Sequence, residues 1–386
     1  MFKRVFVLCM AAMLFAVSAS PSFAKGLDYG MDETFVNIHG LISMEYYDFD
    51  KKGKNAGVSS FDQMLTYLLF DTKIEKNLSG IVELKLDRGG EKIKLDRCFL
   101  DYDFAEHWSI RAGKFYLPFH FEVKEFRPTG NKLISNPMPE VMDFDMFREL
   151  GMQLSAHGTV LGMPMIAEGA VVNGLFRAKF DAPTQTSIDS TIDTNNDKAL
   201  CGRLTVKPVQ EVTLTGSYMS GLSHMYIYNE TYSTTLSPIP QEMSTATEWV
   251  IDLGNLDTRM HTFTAIAELN RLTLKSWYTS GTFHSTKANM STSQFTGCMG
   301  EVAYQILKDK IVPSFEVVFR RKHFNIDSRR ISIATGKDED WDLDSFGICT
   351  KLREHLTFKA EYLTLHEIKP STDHDNGTMF QLMIDF

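Results

Sequence analysis

Hydrophobic and polar residues alternate along most of the chain. In FVNIHGLISMEYYDF, Val36, Ile38, Gly40, Ile42, Met44 and Tyr46 fall on one side, and Asn37, His39, Ser43 and Glu45 on the other. SGIVELKLD sets Val82, Leu84 and Leu86 against Glu83, Lys85 and Asp87. DRCFLDYDF sets Cys98, Leu100, Tyr102 and Phe104 against Arg97, Asp101 and Asp103, and LTFKAEYLTL sets Phe358, Ala360 and Tyr362 against Lys359 and Glu361. Successive side chains of an extended chain point to opposite faces, so a period of two predicts β-strands. Capped helices find no support beyond short turns in loops. The final TMFQLMIDF repeats the pattern through Phe380, Leu382, Ile384 and Phe386, with Met383 an apolar residue on the face of Gln381 and Asp385. The chain reads as all-β.

The spacing of these strands is as informative as their polarity. EKNLSG, AEH, GTVLG, KPVQ, NR, LKDK and REH are tight connections. Long polar stretches lie between them, at 51–60, 116–149, 176–197, 222–257, 284–293, 325–342 and 368–376. Strands are expected at 34–49, 61–75, 79–88, 93–104, 107–115, 148–157, 163–174, 198–207, 211–221, 258–269, 271–282, 295–306, 311–323, 343–352, 356–367 and 377–386. That makes about sixteen, an even number, with WVIDL (Trp249 to Leu253) assigned to a loop; as a strand it would move the count to eighteen. Short turns at one end and long loops at the other describe a transmembrane antiparallel β-barrel. A soluble sandwich fits less well, since its strands run to about five or six residues. Many of these exceed the nine or so that cross a bilayer when tilted.

The first residues agree with that setting. Lys3 and Arg4, an apolar run from Val5 to Val17, and Ser22-Phe23-Ala24 form a secretory signal peptide, residues 1–24, cleaved near Ala24. The barrel would occupy 25–386. Beyond the signal no apolar run of about 18 residues occurs, so a transmembrane helix is not expected. The net charge of −9 argues against a nucleic-acid partner. Cys98, Cys201, Cys298 and Cys349 are scattered and are expected as free thiols, with a disulfide left open.

Catalytic signatures are missing: there is no HExxH, no GxSxG and no glycine-rich phosphate loop. Asp189, Asp193 and Asp197 in SIDSTIDTNNDK lack the ligand order of a calcium loop and read as solvated loop. No enzyme activity, cofactor or metal is expected. A hydrolase assembled from residues spread over a barrel wall is the alternative that sequence leaves standing.

One region has more character. IRAGKFYLPF resembles the Gly-Lys/Gln-Phe-x-x-Pro-Phe stretch of the phosphate-selective porin O and P family. RELGMQLSAHG is similar to the Arg-(Asp/Glu)-x-Gly strand that follows there, EGAVVNG to its strand ending in Asn-Gly, and FQLMIDF to its last strand. The resemblance covers Leu95 to Gly174 and the C-terminus. It implies a trimeric sixteen-stranded channel whose third external loop folds inward as a constriction. Residues 116–149 suit that loop: they are long, and rich in Phe119, Phe121, Phe126, Phe144 and Phe147, which would want burial.

Rings of charge set selectivity in a narrow pore. The pore and constriction candidates are Arg97, Arg111, Lys124, Arg127, Lys132, Arg148, Arg203, Arg320, Glu45, Asp101 and Glu168. Strand parity also points Lys275, Lys359, Glu268, Glu301, Glu316 and Glu361 inward. The family's phosphate specialists use a dense arginine ladder and a lysine cluster. This chain is acidic overall and has no lysine cluster in its constriction loop, so phosphate selectivity is not carried over. The expected function is a porin in the outer membrane of a Gram-negative bacterium, passing small polar or charged solutes or ions through a water-filled bore. Expected partners are outer-membrane lipid, two further copies in a homotrimer, and the barrel-assembly machinery at the C-terminal strand. A barrel adhesin or structural protein is the alternative from another class; its inward positions would be bulky and self-packed.

Overall fold

A computed structural model describes residues 35–49, 59–87, 92–120, 127–137, 148–174, 179–182, 198–229, 249–285, 293–307, 314–327, 339–369 and 374–386. The signal peptide expected at 1–24 lies outside them, as do Lys124 and the Asp189 to Asp197 stretch. In chain order the strands are β1 (Phe35–Phe49), β2 (Ser59–Glu75), β3 (Leu78–Asp87), β4 (Lys92–Ala105), β5 (Trp108–Tyr116) and β6 (Arg148–Val160). Next come β7 (Met163–Val172), β8 (Lys179–Ala182), β9 (Ala199–Val209), β10 (Val212–Asn229), β11 (Trp249–Leu269) and β12 (Leu272–Ser285). The last are β13 (Ser293–Leu307), β14 (Ser314–Asp327), β15 (Glu339–Arg353), β16 (Leu356–Lys369) and β17 (His374–Asp385). No helix occurs among the described residues.

Every strand except β8 pairs antiparallel with its neighbours in sequence, and β17 returns to pair with β1. The result is a closed barrel of sixteen staves. Closure leaves no open edge, which is the only way a sheet can satisfy its whole backbone in hydrocarbon. At the seam Leu41 faces Asp385 and Phe49 faces Gly377 in one unbroken register. Gly40 and Phe386 then exchange both backbone hydrogen bonds, at 2.7 and 3.0 Å.

Two strand expectations need correction. Trp249 to Leu253 is not loop: it opens β11 and pairs with the upper end of β10 as far as Asn229 facing Trp249. The count stays at sixteen because this lengthens an expected strand instead of adding one. A backbone ladder needs no apolar face, so the extension leaves no alternation to read. Residues 179–182, within the expected loop 176–197, form β8, a short parallel addition to β10.

The two faces of the wall differ as the alternation requires. On β13, Phe295, Met299, Glu301 and Ala303 are buried while Val302 and Tyr304 are exposed. Ile38, Ile42, Phe263, Phe346 and Leu382 continue this outer apolar face around the ring. A surface that apolar is stable against hydrocarbon and not against water. The inner face is not uniformly polar, contrary to expectation. Met219, Met260, Trp277, Phe295, Phe324, Trp341 and Leu343 pack there with Phe115, Leu117 and Phe119 as one buried cluster.

The tight turns lie together at the N- and C-terminal end of the barrel. In the β6–β7 turn both central residues have positive φ, Leu161 at 51° and Gly162 at 79°, as a two-residue hairpin of matching twist demands. Leucine is poorly suited to that region, and Leu161 is 91% exposed, so nothing offsets the strain. Leu161→Asn is expected to stabilise the barrel by roughly 1 kcal/mol. A rise in the unfolding midpoint, followed by gel mobility, checks it; a fall rejects it.

Candidate functional site

The inner face gathers most of the charges singled out by parity. Arg97 on β4 and Arg127, in the segment after β5, both pair with Glu83 on β3, whose side chain is fully buried. Arg111 holds Asp101 with two parallel hydrogen bonds of 2.8 and 2.9 Å. Arg148, the first residue of β6, pairs with Asp96, and Tyr116 donates its hydroxyl to the same carboxylate at 3.1 Å. Arg203 pairs with Glu168 across β7 and β9, Arg320 with Glu301 across β13 and β14, and Lys132 with Glu316. Glu45 accepts from Gln381 at 2.6 Å across the seam. Flat aromatic faces lie under several of these guanidinium groups: Phe99 is 4.2 Å from Arg111, Tyr67 5.5 Å from Arg127, and Tyr116 5.5 Å from Arg148. Such stacking stabilises a cation without neutralising it.

Asp96 escaped sequence reading for a definable reason. Leu84 faces Leu95 and Glu83 faces Arg97, so Asp96 is an extra residue in β4, a β-bulge. A bulge flips the parity of all that follows. Ile93 and Leu95 are exposed before it and Leu100 after it. Asp96 and Arg97, adjacent in sequence, therefore both turn inward.

Residues 127–137 are held by side chains from far around the wall. The turn at their start is local, with Gly130 and Asn131 donating backbone hydrogen bonds to Arg127 O at 2.9 and 2.8 Å. Asn131 donates to Ser135 O at 2.8 Å and accepts from Leu133 N at 3.3 Å, which curls the segment on itself. Its carbonyl face is then taken by cations. Lys359 donates to Pro128 O and Asn131 O, both at 2.6 Å, Lys322 to Asn136 O at 2.8 Å, and Arg320 to Ser135 O at 2.8 Å. Glu361 takes the amide face instead, accepting from Ile134 N, Ser135 N and Ser135 Oγ at 2.6, 2.7 and 2.6 Å. Leu133 is inserted beside Ala303 and Val318. At the far end Trp277 Nε1 donates to Pro137 O at 2.9 Å.

The spread of these anchors matters more than their number. Arg127 is tied to β3 and Pro137 to β12. With β8 outside the ring, those strands stand eight staves apart in a ring of sixteen, half a circumference. The segment thus touches opposite sides of the inner wall.

Parity grouped all these candidates together, but the structure sorts them. Arg320, Glu301, Lys359 and Glu361 are covered almost completely, each no more than 3% exposed; they anchor the segment. Arg111 and Asp101 retain 30% and 28% side-chain exposure, and Lys132 22%. Arg148 is buried at the base of the segment. The anchors Asn131, Ser135, Lys322 and Trp277 were missed, since nothing local marks a residue whose partner is more than a hundred positions away. The four cysteines stand as free thiols.

Before the segment, Leu117 and Phe119 enter the apolar cluster and His120 lies edge-on to Trp277, ring centroids 5.3 Å apart. His120 N donates to Ser217 Oγ at 3.0 Å. Burial pushes the His120 pKa down to about 3. The unfolded group binds its proton near 6.5, so between that value and about 3 the unlocked state holds more protons and docking weakens as pH falls. Lowering pH from 7 to 5 is expected to raise the rate at which protease cleaves residues 127–137 in the folded barrel, and His120→Gln to abolish the rise. The same rise in the variant would reject His120 as the cause.

No family model matches the sequence, and no curated protein is significantly similar to it. Solved structures are similar in fold. An anion-selective porin from Comamonas acidovorans superposes with a TM-score of 0.62 at 10% identity, over 92% of this chain and 100% of that one. The outer-membrane expressed OmpT of Vibrio cholerae gives 0.60 at 8% identity over 92% and 98%. The outer membrane channel DcaP of Acinetobacter baumannii gives 0.58 at 11% identity over 92% and 97%.

Proposed function

We propose that this chain is an outer-membrane porin of a Gram-negative bacterium, in which residues 116–149 constrict a bore through which small polar or charged solutes diffuse. One observation carries the reading: residues 127–137 reach from β3 to β12 inside a closed barrel while charged groups of the inner face stay partly exposed. A chain that merely filled the barrel would have no reason to leave Arg111, Asp101 and Lys132 in contact with solvent, because half-exposed ion pairs stabilise little. The outer apolar face suits lipid, and the fold shared with a porin, an outer membrane channel and OmpT supports the same assignment. Within it, Arg97, Arg111, Arg127, Lys132, Arg203, Asp101 and Glu168 line the path, and Arg148, Arg320 and Glu45 brace it. A homotrimer fits this class of barrel, and by motif the chain resembles the phosphate-selective porin O and P family.

The rival reading, a barrel that serves as adhesin or structural anchor, draws on one observation, the buried apolar cluster of Met219, Trp277, Phe295 and Phe324 on the inner wall. Planar-bilayer recording of the folded chain separates the two. Stepwise conductance is the expected result; a correctly folded barrel that inserts and carries no current overturns the porin.

A further inference from the structure

The inner wall is divided into two sectors. Along β13 to β16 the charges Glu301, Arg320, Lys359 and Glu361 are covered by residues 127–137, and the wall above them is apolar. Along β4 to β10 no described part of that segment makes a hydrogen bond to the charged row. There the register lays out one continuous polar ribbon. Asp101 faces Arg111, Arg111 faces Gln153, Ser155 faces Glu168, Glu168 faces Arg203 and Arg203 faces Ser217. Gln153 and Ser155 are buried and brace the row, Gln153 donating to Ser155 Oγ at 3.0 Å and Glu168 Oε1 at 3.1 Å, while Arg111 and Asp101 are its part most open to solvent.

Resting on the porin reading, we propose that solutes pass the open Asp101–Arg111 end of this ribbon and that it selects net-neutral, hydrogen-bonding solutes, zwitterions foremost, over ions of either sign. The reason is electrostatic. A net charge entering a narrow bore loses hydration and must recover it from wall charge of opposite sign. On this ribbon each charge is already neutralised by its neighbour: Arg111 is bound bidentately by Asp101, and Arg203 is paired with Glu168. Two cations and two anions in close alternation leave no net field for an ion at a distance. They do leave local donors and acceptors of both signs in a row. A solute carrying an ammonium and a carboxylate a few ångströms apart can satisfy both at once and brings no net charge into the bore. Among the other described arginines of the inner face, Arg148 and Arg320 are likewise paired one to one, while Arg97 and Arg127 share the single Glu83, off the ribbon. The ribbon therefore lacks the uncompensated cations that binding of phosphate or another small anion would require.

The test combines two measurements on the full-length folded protein. In bilayers under a potassium chloride gradient, the wild-type permeability ratio is expected within about twofold of unity. Asp101→Asn should move it towards chloride and Arg111→Gln towards potassium, each by about threefold, and the double substitution should return it near the start. In proteoliposome swelling, glycine should enter at least about threefold faster than potassium glycolate of similar size. A wild-type ratio beyond about fivefold either way, single variants that leave it unmoved, or equal entry of glycine and glycolate overturns the inference while leaving the porin standing. Absence of all conductance overturns both.

Discussion

Replacing Glu361 with alanine is expected to raise single-channel conductance by about two- to threefold, because it releases residues 127–137 from the wall. The carboxylate accepts from Ile134 N, Ser135 N and Ser135 Oγ. Hydrogen bonds to a charged acceptor contribute about 1.5–3 kcal/mol each, and the two amides would be left buried without that acceptor. Arg320, which donates to the same segment, keeps its own partner Glu301, so the loss falls on the segment's amides. Breaking one member of a buried charged set costs about 3–5 kcal/mol, more than a short docked segment can absorb. The wall itself should hardly notice, since the β15–β16 and β16–β17 ladders are backbone-made. Glu361→Gln keeps an acceptor of the same size and should fall between the two. A folded Glu361→Ala barrel with parental conductance would show that the segment does not limit the bore.

The largest effect on assembly is expected at Gly113. It lies in β5 with φ at +133°, facing Phe99 and, across β6, Gly151. A methyl group there would run into the carbonyl of Cys98 and come within 2.6 Å of the Phe99 Cα, both backbone atoms held in the ladder. Neither can yield as a flexible side chain would. Gly113→Ala should therefore destabilise the barrel by about 3 kcal/mol or more, strain and overlap together. The readout is the fraction that folds in detergent, judged by gel mobility, against Ala112→Gly on the outer face as control. Equal yields and melting temperatures would reject the assignment. The position matters because Phe115, Leu117 and Phe119 follow directly and turn into the apolar cluster.

How much of this was legible in the sequence depended on the range of each interaction. Strand periodicity is local, so sixteen staves and their facing sides could be read from residues such as Val82 against Glu83, or Phe358 against Lys359. Arg111 and Arg203 were found because parity alone points them inward. Asp96 was not, since its direction depends on a bulge that its own neighbours do not announce. Phe324 and Trp341 share the inward parity of Lys322 and Leu343, yet a reading built on charged inner faces gives no place to them. Asn131, Ser135 and Trp277 were invisible for another reason: their roles exist only once strands distant in sequence have met. The loop at 116–149 announced itself by length and aromatic content, but not which wall would receive it.

The anchors of residues 127–137 also fix an order in time. Arg127 meets Glu83 across 44 positions, whereas Lys359 meets Pro128 across 231. Bringing the second pair together costs about 1.5 kcal/mol more chain entropy than the first, before β14 to β16 exist as a wall at all. Gln381 and Glu45, at the seam, are 336 positions apart and come later still. During biogenesis the segment is thus tethered at one end like a hinged bar while the strands that will catch its other end are still arriving. Its described catches sit on β12, β14 and β16 and none on the seam strands β1 and β17, so the bar can be home before the ring closes.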